Sequence, residues 1–121
     1  VQPDEILKFI RVPVTAKTAA YVKFAQKASG FAIAGIATVL DKARKDVAIA
    51  VTGVAAKVYR AAAAESSLRG LEVSATTIAT AAQKVADGVD PLSDIHASSE
   101  FRAHLARVQA KRALELAASR G

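Results

Sequence analysis

The sequence contains no cysteine, no methionine and no tryptophan, and only two histidines, His96 and His104. The absence of cysteine excludes disulfides, thiol catalysis and cysteine-ligated zinc or iron–sulfur centres in this chain, and it fits a reducing, cytoplasmic setting. A metal site needs at least three converging ligands. The two histidines are not spaced as an i, i+4 helical pair. We therefore predict no metal site here.

Glycine-rich phosphate loops are also missing. Neither G-x-G-x-x-G nor G-x-x-x-x-G-K-[ST] occurs, and the six glycines are spread along the chain as turn and strand positions. No G-x-S-x-G nucleophile motif is present. The sequence thus predicts no catalytic residues of its own. The longest apolar run, residues 31–40, is about half of the ~20 residues that a membrane-spanning helix needs, so we expect no membrane span.

The length and the charge limit the remaining possibilities. With 121 residues the chain is expected to form a single domain, 1–121, and its start at Val1 suggests a fragment of a longer protein. The net charge of +6 permits an acidic partner, a phosphate-bearing cofactor or a nucleic acid. The basic residues are scattered, however, and few aromatic residues lie among them to stack on bases. We therefore predict no nucleic-acid partner.

The first half of the sequence indicates strands. The stretch "EILKFIRV", residues 5–12, is rich in β-formers and bounded by Pro3 and Pro13, which predicts a strand. Residues 32–40 and 47–57 are apolar, and the polar "DKARKD" between them predicts a β-hairpin. "TAKTAAYVKFAQKASGF" favours neither helix nor strand. Because the hairpin is apolar on both faces, we expect helices to cover one side and another protein surface the other.

The second half indicates helices. "AAAAESSLRG" predicts a short helix ending at Gly70, and "SATTIATAAQKVADG" predicts a second helix capped by Ser74. The clearest helix is "SEFRAHLARVQAKRALELAAS". Its predicted core stripe is Phe101, Leu105, Val108 and Leu116, with the opposite face made by Arg102, Arg107, Lys111 and Glu115. Strands followed by helices favour an α+β domain with helices packed on a small antiparallel sheet.

Two stretches are candidates for chemistry. "SDIHASSEFR", residues 93–102, concentrates charged residues around His96 but is typical of a helix start, with Ser98 or Ser99 as the cap, Glu100 in the first turn and Phe101 opening the stripe. The other is Lys23, which lies among apolar and aromatic neighbours. It either extends to solvent, which the residues alone favour, or meets an anionic or electron-rich ligand.

Four segments, taken in order, resemble the C-terminal domain of the FAD-binding medium subunit of carbon monoxide dehydrogenase and the related xanthine dehydrogenase family of molybdenum hydroxylases. They are "EILKFIRVP", "AYVKFAQKASGFAIAGIATVL", "VAIAVTGVAAKVYRA" and "DPLSDIHASSEFRAHLARVQAKRALELA". The resemblance runs from about Glu5 to Ala118. Its most specific part has the form D-I-[RH]-[AG]-S-x-x-[FY]-R.

The resemblance implies an α+β fold with a three-stranded antiparallel sheet and a bundle of about three helices. It implies FAD as cofactor, held mainly by preceding domains of the same subunit, with Lys23 as the contact from this domain. The implied partners are those FAD-binding domains, a molybdopterin-binding large subunit and an iron–sulfur small subunit, whose electrons pass to FAD. Where the family usually shows Arg-Arg, Asp and a double Gly, this sequence has Gln26-Lys27, Gly30 and Thr52-Gly53.

The resemblance therefore predicts a domain that closes one side of an FAD pocket and docks to partner subunits, without activity when isolated. The alternative is a small basic protein-interaction module with no flavin role, whose apolar sheet face pairs with another chain. Nucleic-acid binding is a third, weaker possibility. It would require an affinity that falls steeply with salt.

Overall fold

The computed structural model describes residues 1–12, 14 and 17–120. One antiparallel sheet contains the strands β1 Thr18–Ala25, β2 Ala32–Asp41, β3 Asp46–Thr52 and β4 Tyr59–Arg60, in sequence order. Three helices follow, α1 Ala62–Leu68, α2 Ala75–Gln83 and α3 Ser99–Ser119. The predicted α+β fold is confirmed, and the two-residue β4 extends the predicted three-stranded sheet. Within the described part of the chain, no helix has the length and apolar character that a bilayer crossing requires.

The segment whose local structure was ambiguous forms β1, which pairs along its whole length with β2. The predicted hairpin is present, with β2 and β3 joined from Gly35–Thr52 to Asp41–Asp46. Its second strand is shorter than the predicted 47–57. Gly53 takes φ +79, which ends the extended conformation directly after Thr52.

The strand predicted over residues 5–12 is wrong for this structure. The segment contains no regular secondary structure. Its apolar side chains are strongly exposed, at 88% for Ile6, 65% for Phe9 and 76% for Ile10. A strand needs a neighbour to satisfy its backbone groups, and no strand among the described residues pairs with this segment. Pro13, which was expected to end the strand, lies outside the described residues.

All three helices lie on one face of the sheet. Helix α3 packs across β1 and β2, α1 packs against β3, and α2 packs against the other two helices. Alternate strand residues point toward the helices and are buried, as Ala20, Ile36 and Ile49 show. Ser74 precedes helix α2, and its side chain accepts from the Thr77 amide, as predicted for a cap. The residues on the opposite face of β1, β2 and β3 are exposed or half-buried apart from Gly35, so the helices pack on one face of the sheet.

The face of α3 that packs on the sheet differs from the predicted stripe. Leu105 is buried as predicted, whereas Phe101 and Leu116 remain 42% and 37% exposed. The buried apolar positions are instead mostly small: Leu105, Ala106, Ala110, Ala113, Leu114 and Ala117. Alanine lets the helix approach the sheet closely, so that the Thr38 hydroxyl donates to the Ala113 carbonyl at 3.2 Å. Large apolar residues therefore gave a misleading guide to the buried face.

Arg102 is the largest departure from the predicted helix. It was assigned to the polar face, yet its side chain is only 5% exposed. The Phe101 ring beside it is not fully buried. It meets Phe24 of β1 edge to face, with the ring centroids 6.1 Å apart. The first turn of α3 is thus held by a buried charge, whereas the aromatic residue lies at the rim of the core.

Candidate functional site

Lys23 lies on the face of the sheet that the helices leave uncovered. In the strand register it pairs with Gly35 of β2, which in turn pairs with Thr52 of β3, so the three residues form one row across the sheet. Lys23 is exposed, and its ammonium donates to the Gly30 carbonyl at 2.8 Å. That bond holds the charge at the end of β1 nearest the β1–β2 turn.

Tyr21 lies across Gly35 in the neighbouring row. A Cβ atom built on Gly35 would lie 2.6 Å from the Tyr21 hydroxyl oxygen and 2.9 Å from the Thr52 methyl carbon. Only glycine at position 35 therefore lets the phenol and the threonine methyl approach the sheet so closely. The result is a surface of mostly small side chains with a cation at one end.

We call this surface the open face. It consists of the residues that point away from the helices in three rows, Lys23, Gly35 and Thr52, then Tyr21, Ala37 and Ala50, then Ala19, Val39 and Ala48. Most of these side chains are small, and they are exposed or half-buried apart from Gly35. A surface of mostly small side chains with one ammonium can receive a planar group with acceptor atoms on its edge, or the surface of another protein.

The turn between β1 and β2 is built by the residues that depart from the family pattern. The Gln26 side-chain oxygen accepts from the Ser29 amide at 2.9 Å, and the Gln26 carbonyl accepts from the Gly30 amide at 2.8 Å. The Gln26 amide donates to the Phe31 carbonyl at 2.8 Å. These bonds orient the Gly30 carbonyl that receives Lys23. Gln26 and Gly30, which differ from the family pattern, therefore shape the turn that holds Lys23, the predicted cofactor contact.

The stretch 93–102 forms a structural clamp around Arg102. Of the two terminal guanidinium nitrogens, Nη1 donates to the carbonyls of Ile33 at 3.0 Å and Gly53 at 2.6 Å, and Nη2 donates to the Asp94 carboxylate at 2.6 Å. The other oxygen of Asp94 accepts from the His96 amide at 2.9 Å and the Ala97 amide at 3.1 Å. The clamp ties the start of α3 to the ends of β2 and β3.

The remaining predicted features of that stretch have plain structural roles. Ser98 caps α3 by accepting from the Phe101 amide at 3.2 Å, and Glu100 lies in the first turn, as predicted. His96 is exposed and takes part in the clamp through its backbone amide. No group of three or more histidine, cysteine or carboxylate side chains in residues 1–12, 14 and 17–120 is placed to hold a metal ion.

Sequence reasoning missed the role of Arg102 because a helical-wheel argument puts a charged residue at the surface. The sequence does contain one sign of this role, because Asp94 and Arg102 both lie in the motif of residues 93–102. A buried guanidinium needs a carboxylate or several carbonyls as acceptors, and an acidic residue just before the helix could provide one.

The clamp also predicts a pH dependence. The Arg102 guanidinium, aided by the His96 amide, lowers the pKa of Asp94 from the ordinary 3.8 to about 2. Because the folded-state pKa is lowered, ionised Asp94 stabilises the fold fully above about pH 4, and this contribution is lost as the pH falls from about 4 to about 2. In urea unfolding, the stability difference between the wild type and Asp94→Asn should therefore shrink through that window. A difference that stays constant from neutral to acidic pH would contradict the role of the ionised carboxylate.

Comparison with known proteins decides the family. A family model described as the CO dehydrogenase flavoprotein C-terminal domain matches residues 19–117, which is most of the chain. The chain belongs to this family. The match includes the open face from Ala19 onward, the clamp, and nearly all of α3. Residues 5–12 lie outside it.

Named relatives agree with the membership of this CO dehydrogenase flavoprotein domain. The nicotine 6-hydroxylase medium subunit of Paenarthrobacter nicotinovorans is 32% identical over 120 residues, covering 97% of this chain and 42% of the relative. The carbon monoxide dehydrogenase medium chain of Hydrogenophaga pseudoflava is 30% identical over 124 residues, covering 98% and 43%. The chain thus spans less than half the length of these relatives.

A solved structure shows the same fold. Carbon monoxide dehydrogenase from Hydrogenophaga pseudoflava, in a form described as lacking the Mo-pyranopterin moiety of its molybdenum cofactor, superposes with a TM-score of 0.81 at 29% identity. The superposition covers 92% of this flavoprotein domain and 40% of that chain. The α+β architecture is therefore that of a domain from a molybdenum-dependent oxidoreductase. The flavin contact assigned to Lys23 stays a prediction.

Proposed function

We propose that this chain, residues 1–121, is a single C-terminal domain from a longer medium subunit of a cytoplasmic molybdenum hydroxylase. Its open face closes one side of the FAD pocket, and Lys23 supplies the cation beside the flavin. The single observation that carries the proposal is the row Lys23–Gly35–Thr52 on the sheet face that the helices leave uncovered. In such an enzyme FAD accepts electrons from iron–sulfur clusters and passes them to an external acceptor.

The residues of the open face fit the edge of a flavin ring. A surface of small side chains can approach a planar ring closely, and the Lys23 ammonium can donate to an acceptor atom on the ring edge. Gly35 supports this fit, because a larger residue there would displace Tyr21 from the sheet. The domain has no glycine-rich loop for the pyrophosphate, so that part of FAD belongs to the preceding domains of the subunit.

The partners follow from the same assignment. The relatives are named as medium subunits or a medium chain, and this chain spans less than half of their length. We therefore assign the contacts of this domain to the FAD-binding domains of its own subunit, to a molybdopterin-binding large subunit and to an iron–sulfur small subunit. The net charge of +6 favours acidic surfaces among them.

The test compares Lys23→Met with the wild type in the full-length subunit. Loss of one charge-assisted hydrogen bond should weaken FAD binding by about tenfold, measured by titrating FAD into the cofactor-free protein. Lys23→Arg, which keeps the charge, should recover most of the affinity. The matched control is Lys27→Met, an exposed lysine in the neighbouring turn, which should bind FAD as the wild type does.

Two results would count against the assignment. Equal FAD affinity for Lys23→Met and the wild type would remove Lys23 from the pocket. An equal loss for Lys23→Met and Lys27→Met would indicate a general effect of surface charge rather than a contact at one atom. Unfolding curves of the variants establish that an affinity change is not a loss of folded protein, since Lys23 is exposed.

A further inference from the structure

A recess lies at the end of the sheet opposite to Lys23. It is enclosed by the β2–β3 turn, the loop between α1 and α2, and the last turn of α3, and its volume is about 280 Å³. Because a strand rises about 3.4 Å per residue, the recess at Asp41 lies about 20 Å from Gly35 and the row that contains Lys23. We call it the tip recess. It is separate from the surface that we assign to the flavin.

The floor of the tip recess is apolar. Leu40, Val47 and Leu68 line it and are at most 5% exposed, and Leu71 stands at its edge with 48% exposed. Val73 completes the floor and packs against the core. The volume is just below the range of about 300–1,000 Å³ that is typical of ligand pockets. The floor therefore suits a small hydrocarbon group.

Lys45 stands at the mouth of the tip recess on an unusual backbone. Its φ is +48, and no other non-glycine residue in the described part of the chain has a positive φ. The Lys45 carbonyl accepts from the Gly70 amide at 2.9 Å, which joins the β2–β3 turn to the loop between α1 and α2. Its ammonium lies 3.5 Å from the Glu72 carboxylate on that loop. The two sides of the recess are thus tied together at Lys45.

The charged side chains around the mouth are mostly basic. Each of the three carboxylates there already forms an ion pair with a basic side chain, at 3.4 to 3.9 Å. The Lys45–Glu72 pair is exposed, at 47% and 85%, and exposed ion pairs contribute little to stability, so another anion can take the place of Glu72. A cationic ligand would instead meet an excess of basic groups. The carboxylates are Asp41, Asp46 and Glu72, and the basic residues are Lys17, Lys42, Arg44, Lys45 and Arg69.

We propose that the tip recess binds a small apolar carboxylate. The hydrocarbon body of the ligand lies on the apolar floor, and its carboxylate accepts from the Lys45 ammonium in place of Glu72. Removal of the hydrocarbon from water drives binding, and the charge-assisted hydrogen bond orients the ligand. This site goes beyond the proposed function and does not depend on a flavin contact of Lys23.

An NMR titration of the 121-residue chain with 4-methylpentanoate, a branched aliphatic carboxylate, tests the proposal. The amide signals of Leu68, Leu71 and Val73 should shift and saturate with a Kd of about 1 mM, as expected for so small a ligand. 4-Methylpentanamide has the same shape without the charge and should bind about tenfold more weakly. Equal binding of the acid and the amide would overturn the proposal. So would the absence of saturable shifts at these amides up to roughly 20 mM ligand.

Substitutions at the mouth locate the bound carboxylate. Lys45→Met should weaken the binding of 4-methylpentanoate about tenfold. Arg44→Met is the matched control, because it removes the same charge from the same turn but Arg44 does not line the recess, and it should change the affinity less than about twofold. Glu72→Gln removes the competing carboxylate and should strengthen binding about threefold.

Equal losses for Lys45→Met and Arg44→Met would indicate a general effect of surface charge and would remove the contact at Lys45. Unchanged or weaker binding to Glu72→Gln would contradict the exchange at the ammonium, and this variant keeps the test decisive if Lys45→Met loses folded protein. The tip recess is also separable from the flavin pocket. In the full-length subunit, Lys45→Met should bind FAD as the wild type does, whatever the result for Lys23→Met.

Discussion

Replacing Arg102 with methionine is expected to lower the free energy of unfolding by about 3 kcal/mol or more. Methionine keeps much of the side-chain volume but removes three donated hydrogen bonds. The carbonyls of Ile33 and Gly53 then lose a donor at a buried position, and the Asp94 carboxylate loses its cation. The loss is large because Arg102 is only 5% exposed, so water cannot readily replace it.

The measurement is equilibrium urea unfolding of the 121-residue chain, followed by circular dichroism. Arg112→Met is the matched control, because Arg112 lies on the same helix but is exposed, and its replacement should change the stability by less than about 0.5 kcal/mol. Arg102→Lys should recover little, since one ammonium cannot reproduce the fork that reaches two carbonyls and a carboxylate. Equal stabilities for Arg102→Met and Arg112→Met would show that the clamp is dispensable.

The clamp and the open face are parts of one arrangement. Arg102 binds the carbonyl of Ile33, two residues before Gly35, and the carbonyl of Gly53, one residue after Thr52. These bonds fix the ends of β2 and β3 where the row with Lys23 crosses the sheet. The most specific motif of the family therefore acts by positioning the surface that we assign to the flavin, and not by touching a substrate.

The sequence predicted the starts of α2 and α3 well because local signals define them, but α2 ends at Gln83 and not at the predicted Gly88. Ser74 and Ser98 cap α2 and α3 by accepting a hydrogen bond from the backbone amide three residues further along the chain. Such short-range patterns can be recognised from the sequence alone. The hairpin was predicted for the same reason. Its polar turn lies between two apolar runs, so the pairing is local.

The failures concern long-range contacts. The buried face of α3 depends on how closely alanines let the helix approach the sheet, which residue size alone does not reveal. The burial of Arg102 depends on carbonyls 69 and 49 positions away in the chain. The segment 5–12 has the local pattern of a strand, but none of the strands in the described part of the chain pairs with it. The row around Lys23 required the strand register, and the sequence left the structure of β1 undecided.

Replacing Gly53 with alanine is expected to destabilise the domain by about 3 kcal/mol or more, for two reasons that a control can separate. Gly53 has φ +79, a conformation that strains any residue with a Cβ atom. The added Cβ would also overlap the Ala32 carbonyl oxygen and lie 2.9 Å from the Ile33 carbonyl oxygen. Both neighbours are backbone atoms of β2, so they cannot move aside without disturbing the sheet and the carbonyl that Arg102 binds.

Gly88→Ala isolates the first reason. Gly88 has a similar φ of +73, but apart from its two neighbours in the chain no heavy atom lies within 4 Å of the place where its Cβ would be. Its replacement should therefore cost about 1 kcal/mol, the conformational strain alone. In urea unfolding, the excess loss for Gly53→Ala over Gly88→Ala measures the close approach of β2 to the end of β3. If the two variants lose the same stability, the contact with Ala32 relaxes without cost, and Gly53 is required only for its backbone conformation.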